Sequence, residues 1–380
     1  MTREQRLKPD LIMLAAVAAA VVLGVMILSS ASALLSQSKY HDSYYLIRHQ
    51  IMMGILPGIV AGIAAYKIPL KLWRKLAPFF LLACVLFLVS VFIPGVGFSA
   101  GGAQRWINLG VATVQPSELL KLAFIVYLAS WLASRSERRS DKKKSGQMFG
   151  DTLAAFLLVV GVIGFLLIKQ PDLSTFGVIA LTAFIMYFLS GTPLKHSFFM
   201  VLAGIALLAL LVCSESYRLD RLSSWLSPES DPLGKNFQSK QAMMLVGSGD
   251  VFGQGMGASS QKYSLLPELI GDSIFAPYAH EFGLVGGMAL IAIFAVFAWR
   301  GFIIAKKSQN KFQYLAAFGI TFWIVLQAMI NISATIGLLP LSGIPLPFIS
   351  YGGTAIAIEL IAAGFLLNIS RQPKLSAGGL

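Results

Sequence analysis

The chain has 380 residues, 56% of them hydrophobic and 12% charged, where a soluble domain carries about 25% charged residues. That composition excludes a soluble globular protein and indicates one polytopic membrane bundle. The net charge of +13 does not mark a nucleic-acid binder, because the basic residues fall in short stretches between apolar segments, as membrane topology demands.

Residues 1–10 are polar and include Arg3, Arg6 and Lys8. Leu11 to Leu35 reads as the first span. Ala31-Ser32-Ala33 mimics a cleavage site, but the apolar run exceeds the roughly 7–15 residues of a signal-peptide core, so a retained span is expected. Further spans are predicted at Leu46–Tyr66, Leu76–Ile93, Glu118–Ser134, Thr152–Ile168, Leu173–Ser190, Phe198–Cys213, Pro277–Ile304, Phe312–Ile336 and Pro347–Ile369. Most approach the roughly 20 residues that a bilayer requires. Together they predict an all-α protein of ten transmembrane helices.

Charge tests that count. With the N-terminus inside, the cytoplasmic segments hold Lys67, Lys71, Arg74 and Lys75, then Arg135, Arg138, Arg139 and Lys142–Lys144, then Lys195, then Lys306, Lys307 and Lys311, then Arg371 and Lys374. The short outer loops hold little beyond Lys39, Arg48, Arg105 and Lys169. This positive-inside asymmetry predicts that both ends are cytoplasmic, with residues 371–380 as a short tail. One large extracytoplasmic loop is left, Glu215–Ala276, between the seventh and eighth spans; its aromatic and apolar residues predict that it folds against the bundle. The whole chain is thus expected to form a single transmembrane domain. Cys84 and Cys213 lack metal-ligand spacing and read as small core residues.

The region Gly247–Gly287 gathers Asp250, Lys262, Glu268, Asp272 and Glu281 in a chain otherwise poor in charge. Charged, Gly-rich backbone beside a span is costly unless it faces a wet cavity or lies outside the bilayer. The glycines at 247–257 follow no strand and so do not make a dinucleotide site. Other polar groups sit at the same expected end. Glu118 and Lys121 share a helix face behind Pro116-Ser117, either as a self-satisfied pair or as part of a polar cavity. Asp172 reads either as a helix N-cap or as part of the same polar site. Gln327 and Asn331 lie four apart on one helix, as interhelical hydrogen-bond partners or as ligand contacts. Glu359, deep in the last span, needs a partner or a proton. Gly337 to Gly353 is a Pro/Gly-broken re-entry that must be buried in protein or face water.

Several short motifs occur in a specific order: Ser30-Ala31-Ser32; Gly102-Ala-Gln-Arg105-Trp106; Gln115-Pro116-Ser117-Glu118-Leu-Leu-Lys121; Gln170-Pro171-Asp172-Leu173; Asp231-Pro232-Leu-Gly234; Gln261-Lys262-Tyr263; Leu266-Pro267-Glu268; and Gly337-Leu-Leu-Pro340 through Pro347-Phe348-Ile-Ser350-Tyr351-Gly352-Gly353. Together they resemble the SEDS family (shape, elongation, division and sporulation), the peptidoglycan polymerases typified by FtsW and RodA. Ser259-Ser-Gln-Lys262 and Trp73-Arg74-Lys75 resemble the division branch, while Pro345 leans towards the elongation branch. The sequence departs from the family around Ile270-Gly271-Asp272-Ser273 and at His280-Glu281-Phe282-Gly283.

The resemblance implies a multi-pass protein of the bacterial cytoplasmic membrane, at the division septum for the division branch. It implies lipid II, an undecaprenyl-pyrophosphate-linked disaccharide pentapeptide, as substrate. It implies Asp272 as general base. Arg105, Lys121 and Lys262 are expected to contact pyrophosphate, and Glu118, Asp172, Glu268, Glu281 and Ser350 to line the substrate site. A divalent cation, Mg or Mn, is expected to assist; its ligands are not legible. The implied partners are a class B penicillin-binding protein transpeptidase, other division or elongation proteins and membrane lipid, with no nucleic acid. The rival readings are a lipid II flippase and a non-enzymatic division scaffold. A flippase needs polar access from both faces, whereas the polar groups here gather at one.

Overall fold

The structure is a computed structural model that describes residues 8–100, 103–108, 110, 113–138, 145–227, 237–258 and 270–371. Lys262 and Glu268 lie outside the described residues, as do Asp231-Pro232, Gln261-Lys262-Tyr263 and the basic residues Arg139 and Lys142–Lys144.

The chain runs α1 (Leu11–Ala31), α2 (Ala33–Tyr40) and α3 (Tyr45–Gln50), then a π turn (Ile51–Ile55) that leads into α4 (Leu56–Lys67). After α5 (Leu70–Ser90) come three short strands, β1 (Gly97–Ala100), β2 (Ala103–Asn108) and β3 (Thr113–Val114). Long helices follow: α6 (Pro116–Arg138), α7 (Ser145–Lys169), α8 (Leu173–Leu189) and α9 (Leu194–Cys213). The shorter α10 (Ser216–Leu226) and α11 (Phe237–Gly247) precede α12 (Phe275–Lys306), α13 (Lys311–Thr335) and α14 (Gly353–Ser370).

Nine helices among the described residues are long and apolar enough to cross a membrane. They coincide with nine of the ten expected spans. At the sixth expected span stands α8, an apolar helix of 17 residues, about 25 Å long at 1.5 Å per residue. Asp10 N donates to Ser370 Oγ at 3.1 Å. The start of α1 and the end of α14 therefore share one end of the bundle, as an even number of crossings requires.

Two features of the chain path differ from expectation. The last helix begins at Gly353 rather than Pro347, because Pro345 and Pro347 supply no N–H and the backbone turns left-handed at Phe348 (φ 64°). The connection between α5 and α6 is not wholly irregular. β1, β2 and β3 form an antiparallel sheet in that order, with Ala100 opposite Ala103. The strands are too short to carry a legible alternation.

Helices α6, α13 and α14 form the centre; about two thirds or more of each apolar stretch is buried, against 11% for α9. Outward-facing Phe79, Leu82, Phe165, Leu194, Phe199 and Leu210 are exposed, a surface that suits hydrocarbon and not water. Close packing of α4 on α14 comes from a small-residue stripe, Gly54, Gly58 and Gly62, spaced four apart. A Cβ at Gly62 would lie 2.8 Å from Leu360 O, and one at Gly58 would lie 2.8 Å from Ala357 Cα. Gly364 meets the Gly62 carbonyl from the other side.

Substituting Gly62→Val wedges these helices apart and should cost about 1–3 kcal/mol, the usual range for overpacking. Gly177→Ala, where an added Cβ meets nothing within 4 Å, should stay within about 0.5 kcal/mol of the parent. Thermal unfolding in detergent compares the two; equal effects would refute the tight α4–α14 contact.

Candidate active site

The central problem is the backbone of residues 344–352, which lies among helices without being helical. Buried side chains answer it group by group. Asn331, in α13, donates from Nδ2 to Ile344 O at 2.7 Å and to Asp272 O at 2.6 Å. One turn earlier on the same helix, Gln327 Nε2 donates to Pro345 O at 3.0 Å. Leu346 N donates to Ser350 Oγ at 2.8 Å, and Leu346 O accepts from Ile349 N and Ser350 N. Phe348 N donates to Glu359 Oε2 at 2.7 Å. Gln50, at the start of the π turn, donates to Ser350 O and accepts from Gly352 N, both at 3.1 Å. A buried polar group left unpaired costs several kcal/mol in hydrocarbon, so each of these side chains is a condition for this path.

The same side chains hold Asp272. Ser350 Oγ donates to Gly271 O at 2.6 Å, and Tyr351 N donates to Ile270 O at 2.8 Å. With the Asn331 bond to Asp272 O, three successive carbonyls, 270 to 272, are fastened to the re-entrant segment or to α13. The Asp272 side chain is half-buried. Ser273 Oγ donates to its Oδ1 at 3.4 Å. A Cβ on Gly343 (φ 67°) would come 3.8 Å from its Oδ2, so bare glycine backbone faces the carboxylate. The carboxylate thus stands on a backbone held at three successive carbonyls.

Beneath this layer lies a buried charge cluster. Glu118 and Lys121 pair at 2.8 Å, each side chain 3% exposed. Lys121 Nζ also donates to Gln327 Oε1 at 2.9 Å and sits 5.2 Å from the Trp323 ring centre. Trp323 Nε1 donates to the same Gln327 oxygen at 2.9 Å. Glu359 is close enough to feel both Glu118 and Lys121 electrostatically. Of the two sequence readings of Glu118 and Lys121, this geometry carries the self-satisfied pair. Lys121 faces protein, and through Gln327 it orients the donor to Pro345 O. Ser350 is likewise committed to backbone on both sides.

Arg105, on β2, donates from Nε to Gln170 O at 3.1 Å and from Nη2 to Pro171 O. Gln170 in turn donates to Leu88 O at 3.2 Å. Arg105 therefore fixes the Gln170–Leu173 turn, and its Nη1 keeps no hydrogen bond to a described residue. Asp172 caps α8 by accepting from Thr175 N at 3.4 Å. Its buried Oδ2 has no hydrogen-bond partner among the described residues.

Glu281 sits where α12 breaks. Gly283 adopts φ 65°, ψ −165° inside that helix. The loop at 249–255 repairs the lost bonds: Leu284 N donates to Asp250 O, Val285 N to Val251 O, Gln254 N to His280 O and Gly255 N to Glu281 O. Ser30 Oγ donates to Glu281 Oε1 at 2.6 Å and accepts from Gly257 N at 2.8 Å. This ties the far end of α1 to the break, so the site end of the bundle is opposite the Asp10–Ser370 end.

Above the re-entrant segment, Tyr40 and Tyr45 stack at 4.0 Å, Tyr45 stacks on His49, and Tyr351 Oη lies 2.9 Å from His49 Nδ1.

The described residues contain no group of three or more His, Cys, Asp or Glu able to hold a metal ion. Sequence reasoning missed Gln50 and gave no role to Ser30 or Glu359. The one available signal was each polar side chain's place within an apolar run.

The family model of cell cycle proteins of the FtsW, RodA and SpoVE type matches residues 10–375. Stage V sporulation protein E of Bacillus subtilis (strain 168) is 36% identical over 371 residues, covering 97% of this chain and 99% of that protein. The probable peptidoglycan glycosyltransferase FtsW of Geobacter metallireducens is 36% identical over 365 residues, covering 96% and 95%. Among solved structures, a chain of a peptidoglycan synthase complex, studied for its coordination of polymerization and crosslinking, superposes with TM-score 0.77 at 25% identity, covering 96% of this chain and 98% of that one. The rod shape determining protein RodA of Thermus thermophilus shares the fold, with TM-score 0.68 at 24% identity over 96% and 97% of the chains.

Replacing Lys121 by Met leaves Glu118 charged and buried without its counter-ion. Breaking a buried pair this way costs about 3–5 kcal/mol, read as a lower melting temperature. The double variant Glu118→Gln/Lys121→Met should recover part of that loss. Additive losses in this cycle would show that the pair carries no coupling.

Proposed function

This chain belongs to the FtsW, RodA and SpoVE family of cell cycle proteins, the SEDS family, and on that premise we propose that it polymerises lipid II into glycan strands, with Asp272 as general base. The relatives named peptidoglycan glycosyltransferase FtsW support the activity. The observation that carries the assignment of the base is the anchoring of residues 270–272: three carbonyls fastened to elements of the bundle, with the carboxylate half-buried beside bare glycine backbone. A catalytic group held this way spends little on ordering when substrate arrives.

In this reading Asp272 takes the proton from the acceptor sugar's 4-hydroxyl as that oxygen attacks the donor's anomeric carbon. The bond to lipid pyrophosphate breaks, and the pyrophosphate leaves with the electron pair. Positive charge at the leaving group lowers the barrier; Arg105, whose Nη1 makes no hydrogen bond to a described residue, and Lys262 are the residues we assign to it. Asp172, with one oxygen unpaired among the described residues, and Glu281 and Glu268 would border the sugars. A divalent cation, Mg or Mn, would assist at the same place by neutralising pyrophosphate charge.

The FtsW and SpoVE relatives support the division branch and hence a septal location, with the site end of the bundle outside the cytoplasmic membrane. The synthase complex supports a class B penicillin-binding protein transpeptidase as partner, alongside other division proteins.

With purified protein, lipid II and the partner transpeptidase, Asp272→Asn should lower the polymerisation rate by roughly 100-fold or more, the usual worth of a general base. Melting temperature and partner binding should stay unchanged. Undiminished glycan chains in that variant would remove Asp272 from the mechanism, and lipid transfer across liposomes without polymer would favour a flippase.

A further inference from the structure

At the end of the bundle opposite Asp272, a cavity of about 580 Å³ opens between the start of α1 and the ends of α12 and α14. Its polar wall is cationic. Lys8, Arg300 and Lys307 line it against one carboxylate, Asp10. Asp10 is already spent: its oxygens accept from Arg300 Nε at 3.0 and 3.1 Å, and from Arg300 Nη2 as well. One Asp10 oxygen also caps α1 through Met13 N at 2.9 Å. Arg300 keeps Nη1 without a hydrogen bond to a described residue. Lys8 and Lys307 are exposed and make no ion pair or side-chain hydrogen bond to described residues.

The rest of the wall is aliphatic. Ile12, Ile304 and Ile369 line it, and Leu11 and Ile12 are 62% and 46% exposed on the outer side of the bundle. The cavity therefore has cations at its rim and hydrocarbon beside them, at the level where a helix leaves the bilayer. A soluble anion would waste the apolar wall, and an uncharged lipid would waste the cations.

We propose that this cavity binds the phosphate of an anionic phospholipid, with Lys8, Lys307 and Arg300 Nη1 around the headgroup and an acyl chain along Ile12 and Ile304. Basic pockets between helices at this depth select such headgroups, and guanidinium and ammonium donors match phosphate oxygens. A seated lipid would clamp α1 to α12. Those two helices meet again at their other ends, where Ser30 holds Glu281.

Native mass spectrometry of the full chain, released from micelles containing phosphatidylglycerol or phosphatidylcholine, tests this directly. The parent should retain phosphatidylglycerol in preference to phosphatidylcholine, and excess inorganic phosphate should not displace it. Lys8→Gln/Lys307→Gln should lose bound phosphatidylglycerol by roughly fivefold per lysine, at an unchanged melting temperature. Lys8→Gln alone should lose about half of that effect on a logarithmic scale. Lys306→Gln, exposed on the same turn but off the cavity wall, should retain lipid as the parent does. Equal retention in the double variant, equal retention of phosphatidylcholine by the parent, or displacement by inorganic phosphate would each overturn the proposal.

Discussion

The structure depends on one constraint: backbone that leaves the helix inside an oily bundle must find every hydrogen bond in protein. Between Ile344 and Gly352 the chain meets it with side chains more often than with backbone. Two prolines remove two donors outright. Asn331 and Gln327, one helical turn apart, take successive carbonyls. Glu359 accepts the N–H of left-handed Phe348, and Gln50 closes the segment at both Ser350 and Gly352. Gln327 is oriented by Lys121 and Trp323, and Lys121 by Glu118. The buried charges thus serve the backbone, and the backbone serves Asp272.

The break in α12 obeys the same rule by another route. There, loop backbone rather than side chains repairs the lost helix bonds, which demands very close approach. A Cβ on Gly253 (φ 85°) would overlap the Glu281 carbonyl, and one on Gly283 would overlap Gly253 and Val251. Gly249, whose Cβ would overlap the Ala279 carbonyl, and Gly253 are therefore spacers between a loop and a broken helix.

Much of this was legible in the sequence, and the reasons for the rest are physical. Long apolar runs gave the spans, because length and hydropathy suffice in a bilayer. Asp272, Glu281 and the re-entrant segment stood out because charge and broken backbone are costly there. Which polar side chain serves which carbonyl was not legible, since those pairings join residues such as Gln50 and Ser350, or Asn331 and Asp272, across the fold. Lys121 read as a substrate contact or as half of a pair, and burial with Glu118 is visible only in the fold. The sheet at 97–114 was missed because its strands are short and its turn residues also suit a plain loop. The α4 glycine stripe was visible at its spacing of four, but its partner helix was not.

The central claim is that buried amides of α13 hold the base in place for chemistry. Asn331→Leu removes the two donors that join Asp272 O to Ile344 O while leaving the carboxylate itself intact. Steady-state lipid II polymerisation by that variant should show kcat lowered roughly 10–100-fold, as small misplacements of a catalytic group cost, with KM little changed and the protein still folded. A folded Asn331→Leu protein with parental kcat would contradict the account.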